Sequence, residues 1–305
     1  ALQREAALPL LVGADLETGA AVRYRGGYAT PNGLDLGGST MFPPPMGIGA
    51  TGDTAIAAAM GRVTAREGRA VGAHVAFAPV LDVNNNPRNP VIGARAFGET
   101  PQLVGAMGAA FVRGLQGAGM TATGKHFPGH GDTEQNSHLE LSRVDATRAR
   151  LDSVELAPYR VAIAAGMRGV MTFHGRLDAL DPSGVAATLS KPVMTDLLRG
   201  TLGFTGLVVT DALDMNGVMG GLGMAEVCVR SFEAGADVLL MPSDLPGCIT
   251  AVTAAVTTGR VSMARLDASV RRVLDEKVRA GLPRQRTVDV ERVRDVVGDT
   301  AHLAA

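Results

Sequence analysis

Residues 125–132 (KHFPGHGD) form the segment of the sequence best suited to chemistry. They follow a short apolar run directly and carry four charged or titratable side chains around a rigid Pro-Gly turn. His126, His130 and Asp132 could act as metal ligands, but the HxxxH spacing falls on a loop rather than on a helix. We therefore favour a cradle for sugar hydroxyl groups, in which Lys125 and His126 donate to several oxygens and Asp132 contributes a carboxylate.

Asp211 is a candidate catalytic carboxylate, because it directly follows the apolar run 207–210 (LVVT). Asp is also a good N-cap, so the same residue could simply begin the next helix. Asp214 and Asn216 are better placed for that capping role, since Asp211 comes immediately after the predicted strand. From this feature alone both interpretations stay open.

Short apolar runs predict the strands that would position these side chains. They cover residues 9–14, 74–81, 121–124, 170–173, 207–210 and 238–241. Continuous apolar character is typical of strands that are buried on both faces of a parallel sheet. All but the last run lead directly into an ionisable residue, and chemistry in an α/β barrel gathers at the carboxyl ends of its strands.

Helical segments lie between these runs, and Asp53 and Thr100 predict the N-caps of two of them. Another helix is predicted over residues 263–280, with one apolar face formed by Leu266, Val270, Val273, Leu274 and Val278. The pattern predicts an α/β fold without a domain break over residues 1–283. The charged residues 284–305 predict a terminal helix or the start of a linker. A complete barrel needs eight strands, so a first strand before Ala1 stays open.

Composition argues against several classes of protein. The 305 residues include 29 basic and 30 acidic side chains without a basic stripe, so nucleic acid and membrane surfaces are poor partners. The first residues lack the apolar core and cleavage site of a signal peptide, which favours the cytoplasm. Cys228 and Cys248 lack the density of a disulfide framework and a zinc-like spacing, so we interpret both as buried small hydrophobic residues.

Further motifs are spread along the chain in the order GADLE (13–17), MFPPPM (41–46), FAPVLDVN (77–84), RAFGE (95–99), KHFPGHGD (125–132), NSHLEL (136–141), TD (210–211) and EAGAD (233–237). Together they resemble family 3 glycoside hydrolases, most closely the bacterial β-N-acetylglucosaminidase branch. The resemblance covers nearly the whole chain and implies a TIM-type (β/α)8 barrel, here with an N-terminus that could be incomplete.

The resemblance also implies roles for individual residues. Asp211 matches the family nucleophile, and His138 matches the histidine that this branch uses as general acid/base. The residues that match the family's sugar-binding positions are Asp15, Arg23, Arg95, Lys125 and His126. Asn136 stands where many relatives have Asp. It can still fix the tautomer of His138 but cannot stabilise an imidazolium by charge, so we expect weaker acid catalysis.

These roles imply a retaining β-N-acetylglucosaminidase that works through a covalent glycosyl-enzyme and needs no cofactor. A phosphorylase that uses phosphate instead of water, and a β-glucosidase of the same family, are the nearest alternatives. The family's glucosidases usually take their acid from a second, C-terminal domain, which these residues do not include. A metal-dependent hydrolase, an idle sugar-binding barrel and a fragment that needs a missing domain complete the alternatives.

Overall fold

Parallel strands in chain order form the centre of the fold. The computed structural model describes residues 2–21, 38–137 and 140–303. Its strands are Gly13–Ala14 (β1), Val75–Ala76 (β2), Thr121–Phe127 (β3), Ser142–Arg143 (β4), Gly169–Thr172 (β5), Gly175–Arg176 (β6) and Leu207–Val209 (β7). The main sheet has the order β1-β2-β3-β5-β7 with every pair parallel, and β4 pairs with β6 beside it.

The sixth predicted run continues this sheet without forming a full strand. Val238 makes one parallel bridge to Val209, and its carbonyl accepts a hydrogen bond from the Thr210 amide at 3.0 Å. Each strand of the sheet therefore lies beside the next one in the sequence, with helical segments in between. This is the winding of a TIM-type α/β barrel, and the sheet is an incomplete barrel over the described residues.

The helices surround the sheet. Their bounds are Leu2–Glu5 (α1), Pro45–Gly49 (α2), Thr54–Ala70 (α3), Pro101–Gly117 (α4), Arg148–Ser153 (α5), Ala157–Ala164 (α6), Asn216–Met219 (α7), Met224–Ala234 (α8), Leu245–Thr257 (α9), Met263–Arg279 (α10) and Thr300–Leu303 (α11). A π-helix covers Pro192–Thr201, and 3₁₀ turns cover Gly93–Arg95, Ala187–Leu189 and Val290–Asp295. Within the described ranges, none of these helices combines the length and the apolar character that crossing a bilayer requires.

The two predicted N-caps are confirmed. The Asp53 carboxylate accepts a hydrogen bond from the Ala55 amide at 2.8 Å, and the Thr100 hydroxyl accepts one from the Leu103 amide. The helices that they begin, α3 and α4, pack closely through glycine. A Cβ on Gly114 would lie 2.0 Å from the Ala58 carbonyl oxygen, so no larger residue fits at that crossing.

Helix α10 has the predicted bounds but the opposite orientation. Its buried residues are Ser269 and Glu276, whereas Val270, Leu274 and Val278 are 46%, 41% and 64% exposed. The buried side is polar because it carries the partners of buried groups under the barrel. Ser269 donates to the Asp237 carboxylate at 2.6 Å, and the Thr121 hydroxyl donates to Glu276 at 2.6 Å.

Cys228 on α8 and Cys248 on α9 form a disulfide with a Cα–Cα distance of 5.7 Å. Both side chains are buried, as expected, but the interpretation of them as unpaired hydrophobic residues was wrong. The pairing depends on the contact between two neighbouring helices that carry these residues 20 positions apart. Sequence spacing alone does not reveal such a contact.

Candidate active site

A cavity of about 520 Å³ opens at the carboxyl ends of the parallel strands. Asp15 follows β1, Lys125 and His126 lie in the second half of β3, and Asp211 follows β7. The parallel winding brings these strand ends to one edge, so residues that are far apart in sequence meet there. The cavity is lined by Asp15, Glu17, Thr18, Val91, Arg95, Lys125, His126, Ser137, Asp211, Ala212, Asp214 and Met215.

Lys125 lies at the base of this cavity and is 2% exposed. Its ammonium group is 2.8 Å from Asp15 Oδ1 and 2.7 Å from Glu17 Oε1. Burial lowers the pKa of Lys125, but the carboxylates of Glu17 and Asp15 raise it, and the net direction is upward. Lys125 is therefore a buried, permanently charged donor.

Arg95 joins the same cluster through Glu17. Its Nε and one Nη donate to the two Glu17 oxygens at 2.9 and 2.8 Å, a bidentate pair. Burial raises the pKa of Glu17, whereas Lys125 and Arg95 lower it far below its usual range. Glu17 thus holds two cations that face the cavity. The sequence pattern did not single it out, although it lies in the GADLE motif two residues after Asp15.

His126 is oriented from below by Asp82, a second residue that sequence reasoning did not place in the site. His126 Nδ1 lies 2.7 Å from Asp82 Oδ2, and the same carboxylate accepts hydrogen bonds from the backbone amides of His126 and His130. Burial raises the pKa of Asp82, but His126 and these donors lower it overall. Because Asp82 is ionised, His126 carries a hydrogen on Nδ1, and its Nε2 points to Asp211 Oδ2 at 3.9 Å.

Asp211 presents its carboxylate to the cavity with 22% of the side chain exposed. One oxygen, Oδ1, accepts a hydrogen bond from the Ala212 amide at 2.8 Å, which fixes the rotamer. Burial raises the pKa of Asp211, whereas His126, Lys125 and the Ala212 amide lower it, and the net direction is downward. The group is thus ionised near neutral pH and can act as a nucleophile.

Sequence and structure comparisons identify the family. The profile described as the glycosyl hydrolase family 3 N terminal domain matches residues 1–275. The chain belongs to glycosyl hydrolase family 3. It is similar to beta-hexosaminidase A of Pseudoalteromonas piscicida, with 35% identity over 99% of this chain and 52% of the relative.

Solved structures of family 3 members have the same fold. A family 3 beta-N-acetylglucosaminidase from Paenibacillus sp. str. FPU-7 is 41% identical with a TM-score of 0.86, over 97% of this chain and 58% of that one. The beta-glucoside phosphorylase BglX is 29% identical with a TM-score of 0.90, over 99% of this chain and 55% of that one. The family 3 chain spans about half the length of the curated relatives it matches.

The predicted site residues of this family 3 barrel divide into three groups. Asp15, Arg95, Lys125, His126 and Asp211 line the cavity together. Asp132 does not line it. Its carboxylate lies 3.8 Å from Arg150 and lines a separate polar cavity of about 580 Å³, because the Pro-Gly turn directs the end of the 125–132 segment away from the strand ends. Arg23 and His138 lie outside the described residues.

His130 anchors the chain next to the predicted acid/base. Its Nε2 lies 2.9 Å from the Ser137 hydroxyl and its Nδ1 lies 2.7 Å from the Thr133 hydroxyl. Burial, followed by the charge of His126, lowers the pKa of His130 to about 4, so the ring is neutral. Ser137 thereby lines the cavity, and the carbonyl of Asn136 accepts a hydrogen bond from the Glu140 amide at 3.1 Å. Asn136 itself is adjacent to the lining residues rather than among them.

Proposed function

We propose that this chain is the catalytic barrel of a retaining β-N-acetylglucosaminidase that cleaves terminal N-acetyl-β-glucosaminides. The proposal rests mainly on Asp211, an ionised carboxylate with a fixed rotamer that faces a cavity with buried cationic donors. Arg95, Lys125 and His126 would hold the hydroxyl groups of the sugar, and Asp15 and Glu17 can accept hydrogen bonds from them. The resemblance of residues 136–138 to the family motif supports His138 as the acid/base.

The reaction would proceed in two steps. Asp211 Oδ2 attacks the anomeric carbon while the glycosidic bond breaks, and His138 transfers a proton to the departing oxygen. Water then attacks the same carbon, His138 takes its proton, and the bond to Asp211 breaks. Two displacements at one carbon give net retention. Asn136 would orient His138 without adding a negative charge, so we expect its acid catalysis to be weaker than with Asp.

The family similarity to a beta-glucoside phosphorylase supports phosphorolysis as a second candidate function. In that case phosphate replaces water in the second step and a sugar 1-phosphate is released. A histidine acid/base would favour this variant, because it does not repel an anionic acceptor as a carboxylate would. A β-glucosidase would use the same nucleophile with a sugar that lacks the N-acetyl group.

Hydrolysis of p-nitrophenyl N-acetyl-β-glucosaminide, beside the corresponding β-glucoside, tests the proposal. We expect preferential cleavage of the N-acetyl substrate, release of the β-anomer first by ¹H NMR, and loss of cleavage in Asp211→Asn. Asp267→Asn, an exposed carboxylate on α10, is the matched control and should keep full activity. Acceleration by phosphate with a sugar 1-phosphate product would favour the phosphorylase. No cleavage by the folded protein would contradict the proposed function.

The remaining parts of the proposal concern organisation and compartment. We keep the division into a barrel over residues 1–283 and a tail over residues 284–305 as a prediction. A second domain would be compatible with the longer relatives, and the mechanism above does not require one. The Cys228–Cys248 disulfide favours an oxidising compartment over the cytoplasm that the sequence suggested. Mass spectrometry after alkylation of the denatured, unreduced protein would find no modified cysteine if this holds.

A further inference from the structure

His174 is a fully buried histidine that lies behind the nucleophile rather than in the cavity. It follows β5, with 0% of its surface exposed, and its Nε2 is 3.0 Å from the backbone carbonyl oxygen of Ala212. Ala212 is the residue whose amide holds Asp211 Oδ1 at 2.8 Å. The N–H and C=O groups of one residue are thus bound on one side to the nucleophile and on the other to His174.

The surrounding hydrogen bonds define the tautomer of His174. A carbonyl oxygen only accepts, so Nε2 must carry the hydrogen. Burial lowers the pKa of His174, although the charge of Asp211 and the carbonyl groups of Ala212 and Asp211 oppose this effect. The ring is therefore neutral, and Nδ1 must accept a hydrogen bond.

Thr188 supplies the hydrogen that Nδ1 needs. Its hydroxyl is 2.8 Å from His174 Nδ1 and 3.1 Å from the Phe173 carbonyl, so the shorter contact is to the ring. The Thr172 hydroxyl lies 2.7 Å from the Thr188 hydroxyl and can donate to it in turn. All three side chains have 0% exposure. A chain of donors therefore runs from Thr172 through Thr188 and His174 to Ala212, without water.

We propose that His174 is a positioning residue, which fixes Ala212 through an Nε2–H donor and thereby orients the attacking carboxylate of Asp211. This role rests on the proposed function. His174 has no direct contact with the cavity, so it does not transfer a proton to substrate. It acts on the geometry of the bond between Asp211 and the anomeric carbon, which forms in the first step and breaks in the second.

Two substitutions at His174 separate the hydrogen bond from the volume of the side chain. His174→Leu removes the donor, whereas His174→Gln keeps an N–H at a similar distance from the backbone. Misplacing a reacting group by about 1 Å costs on the order of 100-fold in rate, so we expect kcat of the Leu variant to fall by about that factor with KM unchanged. The Gln variant should recover to within about tenfold of wild type. Thr188→Val should show an intermediate loss.

The leaving group distinguishes positioning of the nucleophile from a defect in acid catalysis. The loss in His174→Leu should be equal for 2,4-dinitrophenyl and 4-methylumbelliferyl N-acetyl-β-glucosaminides, because both require the bond to Asp211. A loss confined to the poorer leaving group, a change confined to KM, or full activity in His174→Leu would overturn the positioning role. An inactive wild-type protein would instead refute the proposed function, and the positioning role with it.

The tautomer is also measurable without turnover. In a ¹H–¹⁵N correlation spectrum of histidine-labelled protein, assigned with His174→Gln, we expect His174 to be protonated on Nε2 alone between pH 5.5 and 8. A hydrogen on Nδ1, or a titration within that range, would contradict the proposal even if His174→Leu folded poorly.

Discussion

Replacing Glu17 with Gln removes the negative charge that Lys125 and Arg95 share. Glu17 is 15% exposed and accepts hydrogen bonds from Lys125 at 2.7 Å and from Arg95 at 2.8 and 2.9 Å. Gln has nearly the same shape but no charge, so the substitution tests the electrostatic role with little change in packing. We expect both stability and activity to fall.

The structure allows the size of the effect to be worked out. Removing one partner from a buried ion pair costs about 3–5 kcal/mol. Asp15 remains on Lys125 at 2.8 Å, so we take the lower end, about 3 kcal/mol. A chain of 305 residues has an unfolding entropy of roughly 0.6 kcal/mol/K, so Tm should fall by about 5 °C.

Thermal and urea unfolding, followed by circular dichroism, measure this difference. Glu99→Gln, an exposed glutamate close to Arg95 in sequence, is the matched control and should leave Tm within about 1 °C. The pKa of Glu17 is lowered in the folded state, so its charge stabilises the protein fully above the unfolded pKa of about 4.3. The gap between wild type and Glu17→Gln should thus be full at pH 7 and shrink as the pH falls below about 4.3. Equal Tm values at pH 7 would refute the reasoning.

Three further predictions concern the loop beside the cavity and the disulfide. Gly217→Ala would place a methyl group 2.4 Å from the Ser137 carbonyl oxygen and 2.9 Å from that of Glu140. We expect the loop to shift and kcat/KM on p-nitrophenyl N-acetyl-β-glucosaminide to fall up to about 100-fold, whereas Gly223→Ala, with open space at its Cβ, should keep full activity. Asn136→Asp should raise turnover of substrates with poor leaving groups by about tenfold, because the carboxylate would stabilise a protonated His138; unchanged turnover would contradict this. The double substitution of Cys228 and Cys248 by Ser opens a 20-residue loop and should reduce the free energy of unfolding by about 3 kcal/mol in urea titrations, and an unaltered midpoint would count against it.

The strand ends that carry the site were predictable from the sequence. Buried parallel strands give short apolar runs, and an ionisable residue directly after such a run must lie at the carboxyl edge of the sheet. Asp15, Lys125 and Asp211 were found in this way or through the family motifs, and the structure brings all three to one cavity. The chemistry of these residues could thus be inferred before their geometry was known.

The partners of these residues could not be predicted, because pairing depends on distances across the fold. Glu17 meets Arg95 across 78 positions, and Asp82 meets His126 across 44. Helix α10 shows a related limit. Its periodicity predicted one apolar side, but Glu276 and Ser269 on the polar side satisfy buried groups at Thr121 and Asp237, and this requirement determines which side faces inward.

The distribution of charge around Asp211 explains why the site contains more carboxylates than the proposed reaction uses. A nucleophilic carboxylate should be ionised but free of a close ion pair, because a bound cation withdraws the electron density that attacks the sugar. Lys125 and Arg95 provide the positive potential that keeps Asp211 ionised, yet both bind Glu17 instead. Over the described ranges, the closest basic atom to the Asp211 carboxylate is His126 Nε2 at 3.9 Å. Glu17 therefore keeps the cations near the nucleophile without direct contact, and Glu17→Gln should lower kcat even at temperatures where the variant is fully folded.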